Sequence, residues 1–221
     1  MPKPPLDALL LDMDGLLVDS EPLWFQIERD FCLDRGFDWT EALAAACVGR
    51  GLGATLAIMG ERFGFAPDPE RHGAEVIDRF IASVGDLSLK PGAGALLDAA
   101  RDALPLALAS SSPRRLIEAV VDRFDLRPRL AAIVSGEEVA RPKPAPDIFL
   151  RAAAELGVSP ARCAVLEDSL AGATAGRAAG MIVIVVPEGP WEGRGFEAVA
   201  EVIVPDLLHA LAWLELGAPV G

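Results

Sequence analysis

The sequence predicts an α/β protein: a doubly wound parallel sheet with a small α-helical domain inserted after the first strand. Three observations carry that expectation. The apolar run Leu9-Leu10-Leu11 has strand length and stops at Asp12-Met13-Asp14-Gly15, as a strand buried on both faces of a parallel sheet does. From Lys90 onward, Ala-Leu-Val segments alternate with Gly/Pro punctuation and helical patterns, the rhythm of an α/β chain. Between these regions, residues 19–89 carry helical patterns and no convincing strand. The expected division is residues 1–18 with 90–221 as the α/β core and 19–89 as the insert. A chain of 221 residues is long enough for both.

The elements follow in order. Met1 to Pro5 is a proline-rich lead-in, and the first strand runs from Ala8 to Asp12. Ser20 reads as the N-cap of a helix from Glu21 to Arg35, ended by Gly36. Leu23, Ile27 and Phe31 form one apolar stripe, with Trp24, Glu28 and Arg35 beside it. Helical patterns follow at Thr40–Cys47, Ala54–Phe63 and Glu70–Ser83. After Lys90-Pro91-Gly92 come a helix at Ala93–Asp102 and a strand at Leu106–Ala109 that ends in Ser110-Ser111-Ser112. Pro113 suits the first helical position after a Ser112 cap, and that helix continues to Phe124. A strand at Ala131–Val134 precedes the stiff loop Arg141-Pro142-Lys143-Pro144-Ala145-Pro146, from which Pro146 opens a helix closed by Gly157. The strand Cys163–Leu166 ends in Glu167-Asp168-Ser169. The helix Leu170–Ala179 is almost all Ala, Gly and Thr, small enough to pack close to the sheet. A buried strand at Met181–Val186, an edge strand at Val202–Val204 and a helix at Leu207–Leu216 complete the chain.

Charge bounds the function. Lys plus Arg number 20 and Asp plus Glu 33, a net charge of −13. That excess argues against nucleic acid or an anionic membrane surface as partner. An anionic substrate therefore needs locally placed cations. Cys32, Cys47 and Cys163 show no metal or redox spacing and fit reduced, buried thiols in a cytoplasmic protein. His72 and His209 lack motif neighbours and suit surface or packing roles. No apolar run approaches membrane-spanning length, and Asp7, Asp12 and Asp14 interrupt any leader-like stretch.

In a parallel sheet the strand ends share one edge, where reactive groups gather. Asp12 and Asp14 then meet in a small volume with Ser110, Lys143, Glu167 and Asp168. Residues i and i+2 lie on one side of a strand, and two such carboxylates repel unless a cation or a shared proton intervenes. The plainer alternative at Asp12–Gly15 is a strand that ends in a polar turn. Clustered carboxylates suit a hard cation, Mg²⁺ above all. Adding a hydroxyl and an ammonium suggests a phosphate held against that cation.

With those residues assembled, the chain resembles the haloacid dehalogenase-like hydrolases. Asp12-Met13-Asp14-Gly15 looks like the first motif of that family, Ser110 the second, Lys143 in Lys-Pro-Ala-Pro-Asp the third and Glu167-Asp168 the fourth. The resemblance implies a Rossmann-like core with a helical cap. The stretch from Asp12 to Trp24 is similar to phosphosugar phosphatases, with β-phosphoglucomutase the related runner-up. The implied reaction is Mg²⁺-dependent hydrolysis of a small phosphorylated metabolite, a sugar phosphate, through an aspartyl phosphate. Asp12 would be the nucleophile and Asp14 the acid and base, with Ser110 and Lys143 completing the catalytic set. Metal ligands would come from Asp12, the Asp14 main chain, Asp168 and Glu167, the last a ligand or a support. Substrate contacts would come from Gly15, Trp24, Arg50, Ser110, Ser111 and Lys143, with Arg50 on a cap loop. Trp24 stands where the mutase has a histidine, and an indole cannot do that residue's proton work. The dehalogenase branch is disfavoured because it does without the second aspartate and the metal pair. A receiver-like module phosphorylated on an aspartate is a further alternative, opposed by the insert and by the i+2 aspartate. The oligomeric state is open, and a monomer is compatible with the sequence.

Overall fold

Four consecutive leucine or alanine side chains, Ala8–Leu11, are fully buried and form the middle of the protein's main sheet. The structure is a computed structural model that describes residues 5–45, 47 and 51–216. In chain order the first elements are β1 (Ala8–Leu11), β2 (Val18–Asp19), α1 (Glu21–Leu33), α2 (Glu41–Ala45), α3 (Leu52–Phe63) and α4 (Pro69–Ala82). Then come β3 (Ser88–Leu89), α5 (Ala93–Arg101), β4 (Leu106–Ser110), α6 (Arg114–Arg123), β5 (Ala132–Ser135) and α7 (Asp147–Leu156). The last are β6 (Cys163–Glu167), α8 (Leu170–Ala178), β7 (Ile182–Val185), β8 (Val202–Ile203) and α9 (Leu207–Leu214). The chain divides into two compact units, Met1–Asp19 with Ser88–Gly221, and Ser20–Leu87.

The first unit holds a six-stranded sheet in the order β5-β4-β1-β6-β7-β8, every neighbouring pair parallel. The order reverses beside β1, the place where open α/β sheets gather their ligands. The register pairs Leu11 with both Leu108 and Leu166, so Asp12, Ser110 and Glu167 reach the same carboxyl edge. One face packs on α7 and α8 through Ala8, Leu10, Ala109, Val165, Phe149 and Ala175. Close approach of α8 is real: a methyl on Gly176 would lie 3.1 Å from Val183 and 3.3 Å from Val165.

The second unit packs α4 against α1 and α3. Its buried core joins Phe31, Trp39 and Phe80 to aliphatic side chains such as Ile27, Leu56 and Val76, while the half-buried Phe37 stacks with Phe63 and with Phe65, and His72 lies edge-on to Phe31 and Phe65. His72 thus has a packing role, and its Nδ1 accepts the Asp68 backbone N–H at 2.9 Å. The buried Glu28 accepts a hydrogen bond from Trp39 Nε1 at 3.0 Å. All three cysteines are buried, and burial pushes the Cys32 and Cys163 thiols up to about 11. Among the described residues no helix is long and apolar enough to cross a membrane.

Several local expectations need correction. Ser20 occupies the N-cap position of α1, but its side chain makes no cap bond and its buried Oγ has no hydrogen-bond partner. Its backbone is already helical, at φ −99° and ψ −18°, whereas capping normally needs an extended residue. The stretch before Leu89 does contain a strand: β3 pairs antiparallel with β2, Val18 facing Leu89 and Asp19 facing Ser88. Two-residue strands are too short to show alternation. Finally, Pro113 is the N-cap of α6 and Arg114 its first residue, so Ser112 lies outside the helix and does not cap it.

Candidate active site

β1 delivers Asp12 to the sheet edge, where it is 7% exposed. Lys143 Nζ donates to Asp12 Oδ1 at 2.5 Å, Glu167 Oε1 at 2.6 Å and the Ala109 carbonyl at 3.0 Å. An ammonium has three donors, so each has an acceptor here. The Phe149 ring lies 4.9 Å beneath it. Burial opposes charge on Lys143, yet the carboxylates of Asp12 and Glu167 outweigh it and hold the ammonium protonated. Burial pushes Asp12 up to about 8, with Lys143 pulling down and Glu167 and Asp14 pushing up.

Glu167 ends β6 and is fully buried. Its Oε2 accepts the Ser169 N–H at 3.2 Å and the Ser169 hydroxyl at 2.9 Å. Ser169 in turn caps α8 by accepting the Gly172 N–H at 3.1 Å. A methyl on Gly172 would lie 1.8 Å from Glu167 Oε1, so only glycine leaves room for this carboxylate. Next along, Asp168 rests on Gly15, where a methyl would lie 2.2 Å from its Oδ2. Gly15 also has φ +78°, so both space and backbone require glycine there.

Asp12, Glu167 and Asp168 each place a carboxylate oxygen within 4.8 Å of the others. Burial, together with Glu167 and Asp12, raises Asp168 well above the ordinary carboxylate range. Three clustered carboxyl groups thus face one ammonium at a largely buried sheet edge. An all-oxygen, charge-rich donor set of this kind fits a hard divalent cation.

Asp14 points elsewhere. Its Oδ2 accepts the Ser112 hydroxyl at 2.7 Å and the Ser110 hydroxyl at 3.3 Å. Its carboxylate is not part of the acidic trio. Ser110 is buried, whereas Ser111 is exposed. The edge therefore brings together Asp12, Lys143, Glu167, Asp168 and Gly15, with Asp14 and Ser110 beside them. Trp24 belongs to the helical unit, where its ring lies 4.4 Å from that of Phe80. Arg50 lies outside the described residues. Nothing local in the sequence marks Ser112, Ser169 or Gly172 as partners of the acidic residues. Ser112 was masked by a strong capping signal. Gly172 lies in a run of small residues whose pattern predicts closeness to the sheet but not the room it leaves for Glu167.

Residues 6–180 match the haloacid dehalogenase-like hydrolase family. Hexitol phosphatase B of Escherichia coli K12 is 37% identical over 190 residues, covering 81% of this chain and 83% of that protein. Protein CbbY of Rhodobacter capsulatus is 33% identical over 218 residues, 93% of this chain and 95% of its own. The crystal structure of CbbY from Rhodobacter sphaeroides with phosphate superposes with a TM-score of 0.81 at 27% identity, over 96% of this chain and 100% of that one. The chain belongs to the haloacid dehalogenase-like hydrolases and is a phosphatase-type enzyme of that family.

Proposed function

We propose that this enzyme is a Mg²⁺-dependent phosphatase that hydrolyses a small phosphorylated metabolite, a sugar phosphate, through a phosphoryl group carried on Asp12. The observation that carries the reading is the buried Lys143 bridge between Asp12 and Glu167, with Asp168 alongside. A structural ion pair needs one carboxylate, and this site crowds three around one ammonium. Asp12, Asp168 and the Asp14 main-chain carbonyl would hold the metal. Bound there, Mg²⁺ would keep the buried carboxylates ionised and offset the charge of the phosphate oxygens.

Asp12 attacks phosphorus, its new O–P bond forming as the ester O–P bond breaks. Asp14 gives its proton to the departing alcohol oxygen. Water then attacks phosphorus, Asp14 takes that water's proton, and inorganic phosphate leaves with Asp12 restored as a carboxylate. Lys143 holds Asp12 in place and balances its charge throughout. The helical unit is assigned the role of a cap that selects the ester, with Trp24 and Arg50 as its substrate contacts. Hexitol phosphatase B, by its name, supports a phosphorylated sugar or sugar alcohol as the substrate class.

A panel of hexose, pentose and hexitol phosphates assayed with Mg²⁺ for released phosphate tests the reading. Turnover of at least one sugar phosphate, abolished in Asp12→Asn, is expected. Isomerised product from β-glucose 1-phosphate without free phosphate would replace it with the mutase. A long-lived phosphorylated Asp12 without turnover would replace it with the signalling module.

A further inference from the structure

Ser112 stands where a helix cap belongs and does not act as one. The α6 N-cap is Pro113, extended at φ −57° and ψ 145°, and no cap side chain bonds to the first turn. The first-turn N–H of Arg114 is met instead by Glu137 Oε2 at 2.9 Å, from the segment after β5. Glu137 thereby takes over what a Ser before Pro usually does. The Ser112 hydroxyl is turned onto Asp14 Oδ2 at 2.7 Å, a shorter bond than the 3.3 Å one from Ser110.

The backbone of Ser112 is fixed from both sides. Its N–H donates to Ser110 Oγ at 3.1 Å, and its carbonyl accepts the hydroxyl of the fully buried Ser135 at 2.7 Å. Ser111 before it lies so close to Gly136 that a methyl there would come within 2.9 Å of its carbonyl oxygen. A hydroxyl held this firmly has few orientations, and hydrogen bonds to a charged group are among the stronger ones. We infer that Ser112 is a positioning residue: its hydroxyl holds the Asp14 carboxylate in the orientation that proton transfer to the leaving group requires. The inference rests on the reading of Asp14 as the acid and base.

The test compares Ser112→Ala, Ser112→Thr and Asp14→Asn in the full chain with Mg²⁺. The substrates are phenyl phosphate, whose poor leaving group needs a proton, and p-nitrophenyl phosphate, which needs one far less. Ser112→Ala should lower kcat/KM for phenyl phosphate about tenfold or more and for p-nitrophenyl phosphate less than about threefold. Competitive inhibition by inorganic phosphate should be unchanged, and Ser112→Thr should recover most of the loss. Equal losses on both esters with weakened phosphate inhibition would make Ser112 a phosphate contact and overturn the inference. A lowered Tm with leaving-group dependence intact would make it a structural residue, with the same consequence. If Asp14→Asn itself shows no larger loss on phenyl phosphate, the Asp14 reading fails and the inference falls with it. A selective loss in Asp14→Asn without one in Ser112→Ala overturns the inference alone.

Discussion

Replacing Gly172 by alanine sets two opposed effects against each other. Gly172 lies in the first turn of α8, where alanine is ordinarily the better helix former by up to about 1 kcal/mol. The added methyl, however, would sit 1.8 Å from Glu167 Oε1, against about 3.4 Å for ordinary contact. The carboxylate must therefore retreat by about 1.6 Å, the difference between those distances. Lys143 reaches that same oxygen at 2.6 Å, so the retreat breaks a buried ion pair. Breaking such a pair costs about 3–5 kcal/mol, which leaves a net loss of about 2–4 kcal/mol. Gly94 is the matched control: it lies in the first turn of α5 with nothing within 4 Å of an added methyl. Gly94→Ala should gain about 0.5–1 kcal/mol. Urea midpoints measure both changes, and turnover of p-nitrophenyl phosphate should fall more than about tenfold only in Gly172→Ala. If Gly172→Ala were as stable as Gly94→Ala and fully active, Glu167 could yield without releasing Lys143, and the argument for its fixed position would be wrong.

Lys143→Met leaves Asp12 and Glu167 buried without their cation; it should lose turnover and about 3–5 kcal/mol of stability, and a small shift in the urea midpoint would contradict this. Removing divalent metal with EDTA should cut phosphate release about a hundredfold, with recovery on adding Mg²⁺. Asp168→Asn should raise the Mg²⁺ needed for half activity about tenfold, yet stabilise the metal-free chain, because it removes the cost of burying that carboxyl and its repulsion with Glu167 and Asp12; destabilisation would mean that the aspartate has a structural partner. Burial, opposed by the Trp39 bond and aided by Glu21, pushes Glu28 from the ordinary 4.5 up to about 7. Between those values the folded chain keeps a proton that the unfolded chain has released, so stability falls as pH rises through the window, by about 3 kcal/mol in all. Glu28→Gln keeps an acceptor for Trp39 and should stabilise by about 2–3 kcal/mol at pH 8 and hardly at all at pH 4.5; a gain independent of pH would reject this account.

What could be read from the sequence was whatever is local or repeats with a period. Leu9–Leu11 reads as a buried strand, and its sudden end in Asp12 and Asp14 marks the sheet edge where the carboxylates cluster. Long-range partnerships were not legible in that way. Helical periodicity places Glu28 beside an apolar stripe, but nothing in it shows that Trp39, eleven residues on, bonds its carboxylate. Ser112 before Pro113 carried so strong a capping signal that the local reading was the wrong one. The bond that overrides it comes from Asp14, 98 residues away. The ribbon of β2 and β3 is likewise made by pairing alone, since neither two-residue strand has a pattern of its own.

The same long-range bonds determine how charge is divided at the sheet edge. Lys143 already gives its three donors to Asp12, Ala109 and Glu167. A phosphate oxygen can engage it only by sharing or displacing one of them. The hydroxyls of Ser110 and Ser112 are spent on Asp14. Among the described residues the edge thus holds orientation more than positive charge: Asp12 anchored by Lys143, Asp14 anchored by two serines, and one ammonium facing three carboxyl groups. Burial and their mutual crowding push Asp12 up to about 8 and Asp168 well above the ordinary range, so these carboxyls resist ionising together, and the overall charge of −13 repels a phosphate dianion at longer range. A bound cation would supply the positive charge that lets these carboxyls ionise together. The carboxylates arranged around Gly15 are suited to hold it, and the crowding of Asp12, Glu167 and Asp168 is the cost that a bound cation turns into affinity.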